Sequence, residues 1–197
     1  MIVLSLLLLV SGAVPEPQAL TPSDETNHLA FVKKLSGDQV SLLSGVYPDF
    51  RIVKLCSGRF SGAGREEWVL GVWSERKVHR AALIWNRDKW EVHVIDDEIG
   101  KDANVSHSFP MKWQYSLDKS KGFSGNIKCG VDPEFKGDSD LTRALGDKPF
   151  FDLRKEGCEK NSIVCFATDD VYNNWDCLVY IPKDGRFRLW FQQAHAD

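Results

Sequence analysis

After Tyr47 the chain settles into short runs rich in β-branched and aromatic residues, separated by Gly, Ser, Asn and Asp. Four such runs, Arg51 to Cys56, Glu67 to Trp73, Val78 to Trp85 and Lys89 to Ile95, predict successive antiparallel strands. The alternation is cleanest in the fourth, where Trp90, Val92 and Val94 share one face and Lys89, Glu91 and His93 the other. Asn86, Arg87 and Asp88 form the turn that precedes it. A second meander covers Ser162 to Ala167, Asp176 to Ile181 and Arg186 to Gln192. Its last hairpin turns on Pro182-Lys183-Asp184-Gly185, where Pro fixes φ at the first corner and Gly accepts a positive φ. That alternation points Phe187, Leu189 and Phe191 toward the core and leaves Trp190 on the opposite face with Arg188 and Gln192.

Two stretches carry a helical pattern. Ser23 can cap a helix whose first turn holds Asp24 and Glu25, whose apolar positions are Leu29, Phe31, Val32 and Leu35, and whose end carries Lys33 and Lys34 before Gly37. Asp138 to Leu145 predicts a short second helix, capped by Asp138 or Ser139 and stopped by Gly146. The pattern as a whole predicts a mainly β, α+β fold: an antiparallel β-sandwich or partly open barrel with one N-terminal helix. A single β-rich domain over residues 23–197 follows a Pro-rich, polar and flexible lead at 14–22.

The first residues read differently. Ile2, Val3, Leu4, Leu6 to Leu9 and Val10 form an apolar run of about ten residues, well short of the ~20 that cross a bilayer as a helix. Ser11 and Ala13 suit a signal peptidase, and Pro15 and Pro17 stop a helix from continuing. Residues 1–13 are therefore expected to be a signal peptide cleaved after Ala13, with Ala19 as the second choice. The mature chain has no further apolar run and is not expected to span a membrane. The destination is extracellular, or periplasmic in a Gram-negative source.

Cysteine usage agrees with export. Cys56, Cys129, Cys158, Cys165 and Cys177 show no CxxC pair and no His at zinc spacing, so disulfides are the expected chemistry, and the odd count leaves one thiol over. Cys56 with Cys129 would tie distant parts of the chain; the other three lie within residues 158–177, where closure is local. Asn104-Val105-Ser106 is a glycosylation sequon for a eukaryotic host.

Composition narrows the functional classes. With 43% hydrophobic and 27% charged residues the chain is of ordinary globular make-up, and a formal charge of −3 provides no basic excess to neutralise a phosphate backbone. Nucleic acid is not an expected partner. Neither a cofactor nor a metal motif is present. The histidines His28, His79, His93, His107 and His195 share no i, i+4 spacing, although His79 and His93 could approach if their strands pair. Two acidic groups, Asp96, Asp97 and Glu98 and then Asp169, Asp170 and Asp176, sit at predicted strand ends. Paired carboxylates among Asp96, Asp97, Asp169, Asp170 and Asp176 would suit a small secreted hydrolase if two of them converged in a cleft; as turn residues they would simply be solvated.

The segment Gly58-Arg59-Phe60-Ser61-Gly62-Ala63-Gly64-Arg65-Glu66-Glu67-Trp68-Val69-Leu70-Gly71 resembles the strand-turn-strand of FG-GAP or VCBS-type repeats. In that family acidic and amide side chains of the loop bind calcium. This sequence departs from the pattern, with Arg59, Ser61 and Ala63 at the ligand positions and Glu66 as the main carboxylate. The resemblance implies a kept turn, with Arg59 or Arg65 supplying positive charge in place of an ion. No series of such units follows, so a degenerate structural module is one reading.

Tryptophan supplies the remaining lead. Seven are present, more than one core of this size readily takes. Trp190 beside Arg188 would suit a protein or sugar partner if exposed, because a rigid ring offers large contact area at low entropic cost; a structure that buries both sheet faces would absorb it instead. The leading expectation is a secreted, non-catalytic binding protein recognising a protein or glycan through exposed aromatic and arginine side chains.

Overall fold

The structure is a computed structural model that describes residues 20, 22–99, 117–118, 122–123, 127–130, 149–167 and 175–193. The expected signal peptide, most of the lead, the Asn104 sequon, the 138–145 helix, Asp169, Asp170, Trp113, His107 and His195 lie outside the described residues.

The elements run α1 (Pro22–Val32), α2 (Gly37–Val46), β1 (Arg51–Gly58), β2 (Glu67–Ser74), β3 (Lys77–Asn86), β4 (Lys89–Val94), the single turn α3 (Ile95–Ile99), β5 (Leu117–Asp118), β6 (Gly122–Phe123), β7 (Ile127–Gly130), β8 (Ile163–Ala167), β9 (Trp175–Ile181) and β10 (Arg186–Gln193). Two four-stranded antiparallel sheets, in order β1-β2-β3-β4 and β10-β9-β8-β7, pack face to face as an α+β sandwich. A two-stranded ribbon, β5-β6, is separate from both.

The N-terminal helical region divides at Lys33–Ser36 into two helices. The second begins with a capping box: the Ser36 hydroxyl accepts from the Gln39 N–H, and the Gln39 side chain accepts from the Ser36 N–H at 2.8 Å. Leu43 of α2 is fully buried and joins Tyr47, Phe50, Ile52, Leu70 and Leu83 in a layer between the helices and the first sheet. Arg51 at the start of β1 holds α1 through its Nε–H, which is shared between the two Glu25 carboxylate oxygens at 3.0 and 3.1 Å.

Between the sheets lies a second apolar layer, built from Phe60, Val69, Ala82 and Ile84 on one side and Val164, Phe166, Leu178, Phe187 and Leu189 on the other. A third layer covers the outer face of the second sheet, where Ile163, Cys165, Cys177, Val179, Trp190 and Phe191 pack under Leu153 and Cys158. Both sheets are thus covered on both faces, and β2 and β8 are buried almost end to end. Each fully buried large apolar side chain in these layers contributes about 1.5–3 kcal/mol.

Two corrections to the sequence pattern follow from this layering. In β4, His93 does not face water: it is 6% exposed, with its ring edge-on to Tyr180 at 5.3 Å across the sandwich, while Glu91 beside it is partly exposed. In β10 the pairing slips between Leu189 and Phe191, so a bulge inserts Trp190 and turns Phe191 to the outer layer with it. Phe191 is buried, but not on the face shared by Phe187 and Leu189.

The sandwich is closed along two sides. The Cys56–Cys129 disulfide joins β1 to β7, and Cys165–Cys177 links directly opposed residues of β8 and β9, leaving Cys158 as a buried free thiol. On the other side the Glu98 carboxylate of α3 accepts from the Phe187 N–H at 2.8 Å and lies 2.6 Å from His93 Nδ1, while Arg186 donates to the Glu98 carbonyl. One backbone N–H of the edge strand β10 is thereby satisfied.

Candidate functional site

The Gly-rich loop between β1 and β2 is fastened to the protein itself. A Cβ on Gly58 would stand 2.8 Å from Ser162 and from the Phe60 ring, so only glycine lets this strand pass Ser162. The Arg59 N–H donates to the Ser162 hydroxyl and the Arg59 carbonyl accepts from the Ser162 N–H, at 2.8 and 3.0 Å. Phe60 drops fully buried into the core. Glu67, also fully buried, accepts from the Ser61 N–H, the Ser61 hydroxyl and the Trp85 N–H. The oxygens of the buried carboxylate are thus occupied by protein donors, while Glu66 is exposed. Among the described residues no three His, Cys, Asp or Glu side chains gather in a way that would hold a metal ion.

The acidic groups are brought together in part, and around an arginine. Arg80, 1% exposed, contacts Asp96 through Nε and Asp176 through Nη1 at 3.5 Å, with its guanidinium 5.2 Å from the Phe166 ring centre. Asp176 is itself 2% exposed, and Asp97 is exposed on α3. The two carboxylates thus flank a buried guanidinium as its counter-ions and do not face one another across an open cleft. His79 and His93 do not meet. They lie on opposite faces of the first sheet, His79 against Tyr47 at 5.1 Å and His93 toward the second sheet. Burial, then the charge of Lys77, holds the His79 imidazole below its ordinary pKa; burial, then Asp96, raises the Tyr47 hydroxyl.

None of the four expected contact residues lines the groove between α2 and the β3–β4 hairpin, but Arg65 touches Trp85, which does. Arg59 is exposed on the loop fastened to Ser162. Arg188 stacks over the Phe151 ring at 4.8 Å, with Asp184 at 3.8 Å. Trp190 is 6% exposed beneath the 149–162 segment, whose Phe150 N–H donates to the Trp190 carbonyl at 2.8 Å. Its ring belongs to the core. Arg65, by contrast, is exposed and lays its guanidinium over Trp85 at 4.0 Å.

Trp85 and Trp90 are directly opposed at the end of the β3–β4 hairpin, with ring centres 5.3 Å apart and planes at 74°. Both are half-buried. They form one wall of a groove of about 710 Å³, whose other wall is α2, including Leu42 and Val46. These two side chains are 38% and 44% exposed. Asp38 in the first turn of α2 and Asp88 at the hairpin tip add carboxylates to the lining. The hairpin tip is tight, with Arg87 at φ 45° and Asp88 at φ 69°. The groove arises because α2 buries Leu43 and Gln39 against the sheet while Leu42 and Val46 lie on its outer side.

The sequence named tryptophan surplus and Arg65 but not this pair. A pointer was present in Trp85 and Trp90 flanking the Asn86–Lys89 turn, which puts two aromatic rings across one hairpin. No helix among the described residues is long and apolar enough to cross a membrane. The two disulfides fit a compartment outside the reducing cytosol. No family model, curated protein or solved structure matches this chain.

Proposed function

We propose that this chain is an exported, non-catalytic recognition protein, and that the groove between α2 and the Trp85–Trp90 hairpin receives an extracellular protein or glycan. The observation that carries this reading is a pair of half-buried tryptophans facing exposed Leu42 and Val46 across about 710 Å³. A space of that size suits a drug-sized ligand or a few side chains, and aromatic rings at such a place contribute contact area with few rotatable bonds. Arg65 holds Trp85 from the loop side, so the wall is organised before a ligand arrives. The hydrolase reading draws less support, since Asp96 and Asp176 converge on buried Arg80 and not on an open cleft.

The test is retention of a partner from the native extracellular fluid by the oxidised protein, compared with Leu42→Asp and Trp90→Ala. Loss of one stoichiometric partner from both variants, with their melting temperatures kept within a few degrees, supports the groove. Equal retention by all three proteins sinks it.

A further inference from the structure

We propose that the groove takes a basic side chain, arginine or lysine, presented by a partner polypeptide beside an apolar residue. This deepens the recognition reading above and rests on it. Four observations point to that chemistry.

The two carboxylates of the lining, Asp38 and Asp88, have no ion-pair partner among the described residues, whereas the lining lysine, Lys89, is already 2.9 Å from Glu91. Among the described residues the lining therefore carries two carboxylates without a counter-ion, in a chain whose formal charge is −3. The wall opposite the tryptophans is aliphatic, since Leu42 and Val46 stand 38% and 44% exposed there. Arginine and lysine carry an apolar stem beneath a charged head, so one side chain can cover aliphatic surface and still reach a carboxylate. The tryptophan wall adds a third attraction, because an indole face favours a cation through its quadrupole. Arg65 already shows this affinity inside the molecule, with its guanidinium 4.0 Å from the Trp85 ring centre.

A glycan fits these walls less well. A neutral sugar would find hydrogen-bond partners in Asp38, Ser41 and Asp88, but it would leave both carboxylate charges without a counter-ion and meet only aliphatic surface at Leu42 and Val46. An anionic ligand would meet Asp38 and Asp88. The commitment is thus to a polypeptide with a cationic anchor and an apolar neighbour, the anchor lying between Trp90 and the two carboxylates.

The probe is a displayed library of random heptapeptides, selected on the oxidised wild-type protein and counter-selected on Asp38→Asn/Asp88→Asn. Both replacements are isosteric and exposed, and asparagine tolerates the positive φ at position 88. Recovered peptides should carry Arg or Lys at one fixed position next to a Leu, Ile, Val or aromatic residue. A synthetic copy should quench or shift tryptophan fluorescence saturably. Its Kd should rise at least tenfold on Arg→Gln replacement in the peptide and at least fivefold in the double variant, and salt at 0.5 M should weaken it severalfold. Recovery of peptides without a fixed cation, or of none, overturns the inference. So does equal binding by the double variant. An array of neutral oligosaccharides, run in parallel, separates the two levels of failure: a sugar that binds wild type and not Trp90→Ala keeps the recognition groove and refutes its cationic ligand. If neither probe class binds, and the capture experiment shows no dependence on the groove, both fall.

Discussion

The outer faces of the two sheets are covered in opposite ways. On the second sheet the irregular 149–162 segment seals its face: Leu153 and Cys158 fill the layer, Phe150 hydrogen-bonds the Trp190 carbonyl, and Phe151 underlies Arg188. On the first sheet the cover is helical, and α2 reaches the sheet through Leu43 but leaves Leu42 and Val46 facing Trp85 and Trp90 across a gap. A conforming loop can follow the surface it covers; a helix presents a fixed stripe and leaves space where the stripe ends. The same residue type is therefore core on one side and groove wall on the other. Tryptophan content alone does not distinguish them.

Replacing the two rings separates the sides most strongly. Trp190→Ala is expected to destabilise the protein by about 3–5 kcal/mol in urea unfolding, the range for a large aromatic lost from a packed layer. Trp90→Ala should cost about 1 kcal/mol, because its ring is only partly buried. Similar losses for both would erase the distinction. Cys158 reports the same event by another route: burial, with Glu156 next, pushes its thiol up to about 11, so alkylation at pH 8 should be slow in the native protein. Opening the sealed layer with Trp190→Ala should accelerate it at least tenfold.

The disulfide of the sealed side comes next. Cys165 and Cys177 are 12 residues apart, and the chain-entropy relation gives about 3 kcal/mol for a loop of that length. Cys165→Ser with Cys177→Ser should lower stability by roughly that amount and leave groove binding unchanged, because the bond lies on the far face. A loss of binding equal to that of Leu42→Asp would mean that the two sides are coupled.

Acid should act on the helical side first. His28 Nδ1 accepts the Ile52 N–H at 3.1 Å, and burial, then the Arg51 charge, holds this imidazole below its ordinary value; His79 is held down in the same layer. For a group whose folded pKa lies below the unfolded one, stability is complete above the unfolded value of about 6.5 and is lost as pH falls through the folded value. The melting temperature should therefore fall from pH 7 to pH 5, with amide protection lost in β1 before β8 and β9. His28→Gln should flatten the slope, and a rise in melting temperature over that window would refute the assignment. The smallest effect is expected at the hairpin tip. Asp88→Gly relieves a positive φ and should stabilise by about 0.5–1 kcal/mol, while weakening a basic peptide.

The strands were legible because residues such as Val69, Leu70, Ala82 and Leu83 are apolar in runs bounded by turn chemistry. The cover was not. Nothing periodic marks 149–162, whose apolar contributions come from scattered Phe151, Leu153 and Cys158. The bulge at Trp190 leaves no trace in the alternation, since Leu189, Trp190 and Phe191 are all large and apolar, and it reversed the assignment of one ring. α2 was hidden by Gly37, Gly45, Asp38, Ser41 and Ser44, all of low helix propensity, though Ser36-x-x-Gln39 announced its start. Without α2 the groove has only one wall, so sequence reasoning found its chemistry, surplus Trp and Arg65, and not its place.

The order of strands has a consequence for the nascent chain. Each large sheet is made of consecutive strands, β1 to β4 and β7 to β10, yet Val69, Ala82 and Ile84 of the first find their covering residues, Val164, Phe166 and Leu178, only some eighty or more residues later. Hairpins can form within each half on the microsecond scale, but their docking must await synthesis of the second half, at about 5–20 residues per second. For several seconds the first sheet carries a bare apolar face. An unfinished chain is thus most exposed to misassociation through the surface that becomes the best-protected layer of the finished protein.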